Sequence, residues 1–128
     1  MIYLDTSVVL AHLLAEDRTP PVEVWSEELV SSRLLEYEVW NRIHARGLFR
    51  THGEETRTLL SGVAMVQMIS PVLLRALDEF PAPVRTLDAL HLATIEFMRS
   101  QSLRIQLATY DARMLAAAKK LRIQIYPL

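Results

Sequence analysis

Four carboxylates stand where apolar segments end. They are Asp5 in Met-Ile-Tyr-Leu-Asp-Thr-Ser, Glu38 in Leu-Leu-Glu-Tyr-Glu-Val-Trp, Asp88 in Arg-Thr-Leu-Asp-Ala-Leu-His and Asp111 in Leu-Ala-Thr-Tyr-Asp-Ala-Arg. An unpaired ionised carboxylate is costly to bury, so four drawn into one cleft repel one another until a divalent cation neutralises them. Mg²⁺ and Mn²⁺ prefer oxygen ligands, and Mg²⁺ usually takes one or two carboxylates together with waters and substrate phosphate. Such an ion polarises a phosphoryl oxygen, makes a nucleophile of water and stabilises the leaving oxygen. Without it, mutual repulsion raises the pKa of some of the acids. The chemistry implied is hydrolysis of a phosphodiester.

Each acid also has a purely structural explanation. Asp5 and Asp111 both precede helical sequence and would serve as N-caps, although Thr6 and Ser7 could cap the first helix as well as Asp5. Asp88 falls in the first turn of an apolar helix, where the dipole favours an anion. Glu36 and Glu38 compete for one place, because two residues on a helix project about 200° apart. Glu38 is favoured beside the core stripe of Leu35 and Val39, but Arg42 four residues on offers it a surface ion pair. His91, one turn after Asp88, either orients that carboxylate or is a satisfied core histidine. Thr6, Ser7 and Thr109 could bond a metal-bound water or a neighbouring acid, or merely cap. Arg33, Arg42, Arg46 and Arg50 crowd one stretch and Arg85 precedes Asp88. A solvated face is the default reading of them, with a phosphate clamp as the alternative.

The bulk properties narrow the field. The 128 residues suffice for one domain, read as 1–128, and 51% of them are hydrophobic, which argues against disorder. A net charge of -1 excludes a broadly basic nucleic-acid binder, so contact with a polyanion needs a local basic rim or metal ions. The lack of cysteine removes disulfides, thiolate zinc sites and cysteine nucleophiles. No apolar run approaches the roughly 20 residues of a membrane span, and no signal-peptide pattern opens the chain. A cytoplasmic location is expected.

The elements that must position the acids follow from periodicity and punctuation. Strands are expected at residues 2–4, 29–31, 66–69, 105–108 and 123–126. Helices are expected from Val8 to about Ala15, from Pro20-Pro21, from Ser32 with Leu35, Val39 and Ile43 as its core stripe, from Gly53 to Val63, after Ser70-Pro71, from Thr86, and from Ala112 to Leu121. Short strands alternating with helices make an α/β fold with a mainly parallel sheet. Ligands gather at the carboxyl ends of such strands, where Asp5 and Asp111 fall.

Four segments in order, Tyr-Leu-Asp-Thr-Ser-Val, Ser-Ser-Arg-Leu-Leu-Glu-Tyr-Glu-Val, Arg-Thr-Leu-Asp-Ala-Leu-His-Leu-Ala and Leu-Ala-Thr-Tyr-Asp-Ala-Arg-Met, span nearly the whole chain. They resemble the PIN-domain ribonucleases, specifically the VapC-type toxins of toxin–antitoxin pairs. The resemblance implies a three-layer α/β/α fold with about five short strands, and an acidic site at Asp5, Glu38, Asp88 and Asp111 with Asp5 and Asp88 as principal metal contacts. Its Ser-x-Leu-x-x-x-Glu pattern, matched by Ser32, Leu34 and Glu38, favours Glu38 over Glu36. It further implies a Mg²⁺- or Mn²⁺-dependent endoribonuclease acting on tRNA, rRNA or mRNA, a homodimer, and a cognate antitoxin as protein partner. Leu121 departs from the family, where a glycine commonly follows the last helix. Two rivals differ in class. A catalytically silent protein-binding module would bind no metal through Asp5 and Asp88. A phosphorylated receiver-like switch would need a lysine near its acids, but the only lysines are Lys119 and Lys120.

Overall fold

The computed structural model describes residues 1–128. Five strands, β1 (Ile2–Leu4), β2 (Leu29–Ser32), β3 (Ala64–Val66), β4 (Gln106–Ala108) and β5 (Gln124–Ile125), form one sheet in the order β3-β2-β1-β4-β5. Every pairing is parallel. From β1 the chain moves outward through β2 to β3, then returns across β1 and moves the opposite way through β4 to β5. The crossing direction therefore reverses between β1 and β4, and a crevice opens at their carboxyl ends.

Six helices cover the sheet: α1 (Thr6–Leu13), α2 (Leu34–Ala45), α3 (Phe49–Ser61), α4 (Ser70–Leu77), α5 (Thr86–Ser100) and α6 (Ala112–Lys120). Strand alternation sorts the core into two layers. Ile2, Leu4 and Leu29 pack with Val8, Val9, Leu35, Val39, Ile43 and Leu60 from α1, α2 and α3. Tyr3, Val30 and Leu107 pack on the other face with Leu92, Ile95 and Met98 of α5 and Met114 and Ala117 of α6. This is the expected three-layer α/β/α arrangement. No helix is long and apolar enough to cross a membrane.

Several boundaries differ from the sequence expectation. The third strand is Ala64–Val66 rather than 66–69, because β2 ends at Ser32, whose partner is Val66, and nothing remains for later residues to pair with. The region after Pro20-Pro21 forms only a 3-10 helix, Val22–Ser26. The helix expected from Gly53 starts at Phe49, whose ring would lie 3.6 Å from a Cβ at Gly53. The first helix starts at Thr6, capped by Asp5 instead of Thr6 or Ser7.

Candidate active site

Asp5 leaves the sheet at the end of β1, with its amide donating to the Ala108 carbonyl of neighbouring β4 at 3.0 Å. It is only 5% exposed, and its Oδ2 accepts from the Ser7 amide, the Ser7 hydroxyl and, at 2.8 Å, the Thr109 hydroxyl. Those two hydroxyls accept in turn from the amides of Tyr110 and Asp111, both at 2.9 Å. The loop after β4 is thereby fastened to the loop after β1, and Asp111 is held beside Asp5. Asp111 caps α6, its Oδ1 accepting from the amides of Arg113 (2.8 Å) and Met114 (3.0 Å).

Glu38 reaches the same edge from α2. Its Oε1 accepts from the Thr6 hydroxyl at 2.9 Å and faces His91 Nε2 at 2.5 Å. Glu36 instead pairs with Arg33 at 3.3 Å, which separates the two competitors. Arg42 is not a partner of Glu38. Of the two readings of His91, the satisfied buried histidine is the one observed: its ring nitrogens meet Tyr3 and Glu38, not Asp88. Asp88, half-buried in the first turn of α5, accepts through Oδ2 from the Arg85 amide at 3.3 Å. Its pKa is raised above the ordinary aspartate range, first by burial and then by the negative charges of Asp111 and Asp5. A charge on one acid is thus felt at another.

The four acids share one pattern. Asp5 Oδ2, Glu38 Oε1, Asp88 Oδ2 and Asp111 Oδ1 are spent on the protein, while the second oxygen of each accepts no hydrogen bond. Asp5, Asp88 and Asp111 enter no ion pair. As the side chains stand, no three acids or histidines close around a single point at ligating distance. The donor set nevertheless fits Mg²⁺, which needs few carboxylates because it retains water, and the repulsion at Asp88 is what a cation relieves.

The arginines divide. Arg42 and Arg46 line a groove of about 650 Å³ with Ser7, Arg18 and Tyr110, next to the Asp5 loop. The Arg18 guanidinium bonds the Tyr110 carbonyl at 2.8 Å and lies over its ring. Arg85 lines a separate hollow together with Leu73, Ala76 and Leu77 of α4. In the sequence, Ser32 bears on the site only through the Ser-x-Leu-x-x-x-Glu pattern, and Tyr3 reads as strand core at the head of a matching segment, with no role of its own. The available signal was its hydroxyl, since a buried tyrosine usually requires a polar partner.

A family model of the PIN domain matches residues 2–120. The chain belongs to the PIN-domain family. This PIN domain is 31% identical to Ribonuclease VapC47 of Mycobacterium tuberculosis (strain CDC 1551 / Oshkosh) over 127 residues, covering 94% of this chain and 91% of the relative, so it is a PIN domain of the VapC type. It also superposes with a TM-score of 0.68 on a chain of a toxin-antitoxin complex from Klebsiella pneumoniae. That match covers 91% of each chain at 20% identity and concerns the fold.

Proposed function

We propose that this PIN domain is an endoribonuclease, the toxin of a toxin–antitoxin pair, and that it hydrolyses RNA phosphodiesters with Mg²⁺, for which Mn²⁺ substitutes. The observation that carries the reading is the set of four acids at the β1/β4 crevice, each with one oxygen anchored and one without a hydrogen bond. Asp5 and Asp88 would hold the ion, with Glu38 and Asp111 assisting. When bound, the ion supplies Lewis acidity toward a phosphoryl oxygen and lowers the pKa of water. The chain's own part is orientation. Ser7 and Thr109 fix the Asp5 carboxylate, the α6 amides fix Asp111, and Thr6 fixes Glu38 for directing water toward the phosphorus. In the adjoining groove Arg42 and Arg46, with Arg18, outnumber Glu16 and Asp17 and supply a local excess of positive charge. The substrate is a tRNA, an rRNA or an mRNA. The protein works as a single domain in the cytoplasm, as a homodimer silenced by its antitoxin.

Replacement of Asp5 by Asn is the test. The variant should bind Mn²⁺ far more weakly and cleave RNA about 10²–10³-fold more slowly, the loss typical when a group aimed at developing charge is removed. A contaminant-free Asp5→Asn protein cleaving at the original rate would refute the site. Saturable Mn²⁺ binding absent from the unsubstituted protein would favour the silent module.

A further inference from the structure

His91 lies on the most apolar stretch of α5 and is 1% exposed, with Leu92, Ala93 and Ile95 buried around it. A buried imidazole must place both ring nitrogens, and the partners reveal a direction. The Ser32 amide can only donate, and it donates to Tyr3 Oη at 3.1 Å. The Tyr3 side chain is fully buried, so its hydroxyl proton also has to find an acceptor. Its closest partner besides that amide is His91 Nδ1 at 2.7 Å, while the neighbouring Ser31 and Thr94 hydroxyls give their own protons to the Leu4 and Leu90 carbonyls. An accepting Nδ1 leaves the ring proton on Nε2, which faces Glu38 Oε1. Thr6 donates to that same oxygen, so Oε1 is saturated from two sides.

We propose that Tyr3 and His91 are positioning residues, a one-way relay from the Ser32 amide through the Tyr3 hydroxyl and the His91 imidazole that clamps Glu38 by Oε1 and reserves Oε2 for the cleft. The relay joins the centre of β1, the β2–α2 junction, α5 and α2, and so registers the acid on α2 against the elements that carry Asp5 and Asp88. A glutamate has several rotatable bonds, and fixing them in advance spares that entropy when substrate arrives. What Glu38 then does rests on the nuclease reading; the relay itself can be observed without it.

The experiment has two arms. Long-range ¹H–¹⁵N spectra of the full chain near neutral pH should show His91 protonated at Nε2 and unprotonated at Nδ1, and Tyr3→Phe should shift the ring toward a mixture of tautomers. In RNA cleavage with Mg²⁺, His91→Leu should lower kcat about 10–100-fold, as losing a support behind a metal-site carboxylate does, with KM unchanged. Tyr3→Phe should act in the same direction but less. His91→Gln, whose amide can donate from near the Nε2 position, should recover most of the lost kcat. A ring protonated at Nδ1, or a folded His91→Leu protein with the original kcat, overturns the proposal. If His91→Leu fails to fold, Tyr3→Phe and the spectrum of the unsubstituted chain decide. If the unsubstituted chain cleaves no RNA, the nuclease reading falls while the tautomer still decides the relay.

Discussion

At the scale of single residues, the site turns on how each carboxylate divides its two oxygens. Asp5 and Asp111 do cap helices, as the purely structural reading of their sequence context anticipated, but each cap occupies one oxygen only. Capping and ligation are therefore compatible, and position in a sequence could not reveal that. The spacing of the acids and the family pattern made the carboxylates legible. The hydroxyls of Ser7 and Thr109 and the phenol of Tyr3 were less so, because their roles depend on which loops the sheet brings together. Asp88 carries a test of this crowding. Its folded-state pKa lies above the ordinary 3.8, so its stabilising contribution is full below the unfolded value and is lost as pH rises through the raised one. In chelator, Asp88→Asn should therefore be the more stable protein at neutral pH, with the difference disappearing below about pH 3.8, where both forms are neutral. Asp88 is half-exposed, so screening should hold the gain below about 1 kcal/mol. Urea unfolding across a pH series measures it, and an Asn variant less stable at neutral pH would contradict the repulsion. Saturating Mg²⁺ should reverse the order by stabilising the unsubstituted protein, by about 2.7 kcal/mol at a hundredfold excess over its Kd.

At the scale of elements, the order of strands and helices was readable from apolar periodicity, whereas several boundaries were not. Helix ends show why. The helices α1, α2, α5 and α6 are each followed by a residue with positive φ: Ala15 (48°), Gly47 (65°), Ser102 (64°) and Arg122 (58°). In each, that residue's amide and the next one's turn back to carbonyls of the last turn, as Arg122 to Lys119 and Ile123 to Ala118 at α6. This is the Schellman termination, which ordinarily uses glycine. Only Gly47 announces itself in the sequence. The departure noted at Leu121 is displaced by one residue: Leu121 remains right-handed and Arg122 takes the strained position. The motif survives because Ile123 is buried with Ala118 beneath it, and that burial offsets the backbone cost. Arg122→Gly and Ser102→Gly should accordingly each stabilise the protein by about 1 kcal/mol, the left-handed strain relieved less the entropy glycine loses on folding. Gly47→Ala should cost a similar amount. Chemical denaturation checks all three, and an Arg122→Gly variant weaker than its parent would show that the strain is absent.

At the scale of the whole molecule, local patches of charge and of apolar surface govern what can bind. With a net charge of -1, RNA affinity has to come from a local rim, and Arg42 and Arg46 line the groove beside the Asp5 loop. Each phosphate contact to a single strand contributes about 0.7 to the slope of log affinity against log salt. Arg42→Ala and Arg46→Ala should each flatten the slope by about that amount, measured with a catalytically silenced Asp5→Asn background, whereas Arg85→Ala should change it less because Arg85 lines a different hollow, with residues of α4. Part of the exposed apolar surface lies on α4 and the start of α5. On α4, Val72 is buried, but Leu73, Leu74 and Leu77 are 44%, 64% and 83% exposed, and Leu87 at the start of α5 is 44% exposed. Neighbouring exposed leucines of this kind mark a surface that a partner covers, and a closed two-fold dimer uses one patch twice. The homodimer proposed above therefore has a natural seat on α4. The chain should sediment as two copies of 14.7 kDa, and Leu74→Glu combined with Leu77→Glu should leave a folded monomer, since a glutamate facing its own symmetry mate would be buried without a partner. A monomeric parent would remove the dimer, and a double variant that still sedimented as a dimer would move its interface away from α4.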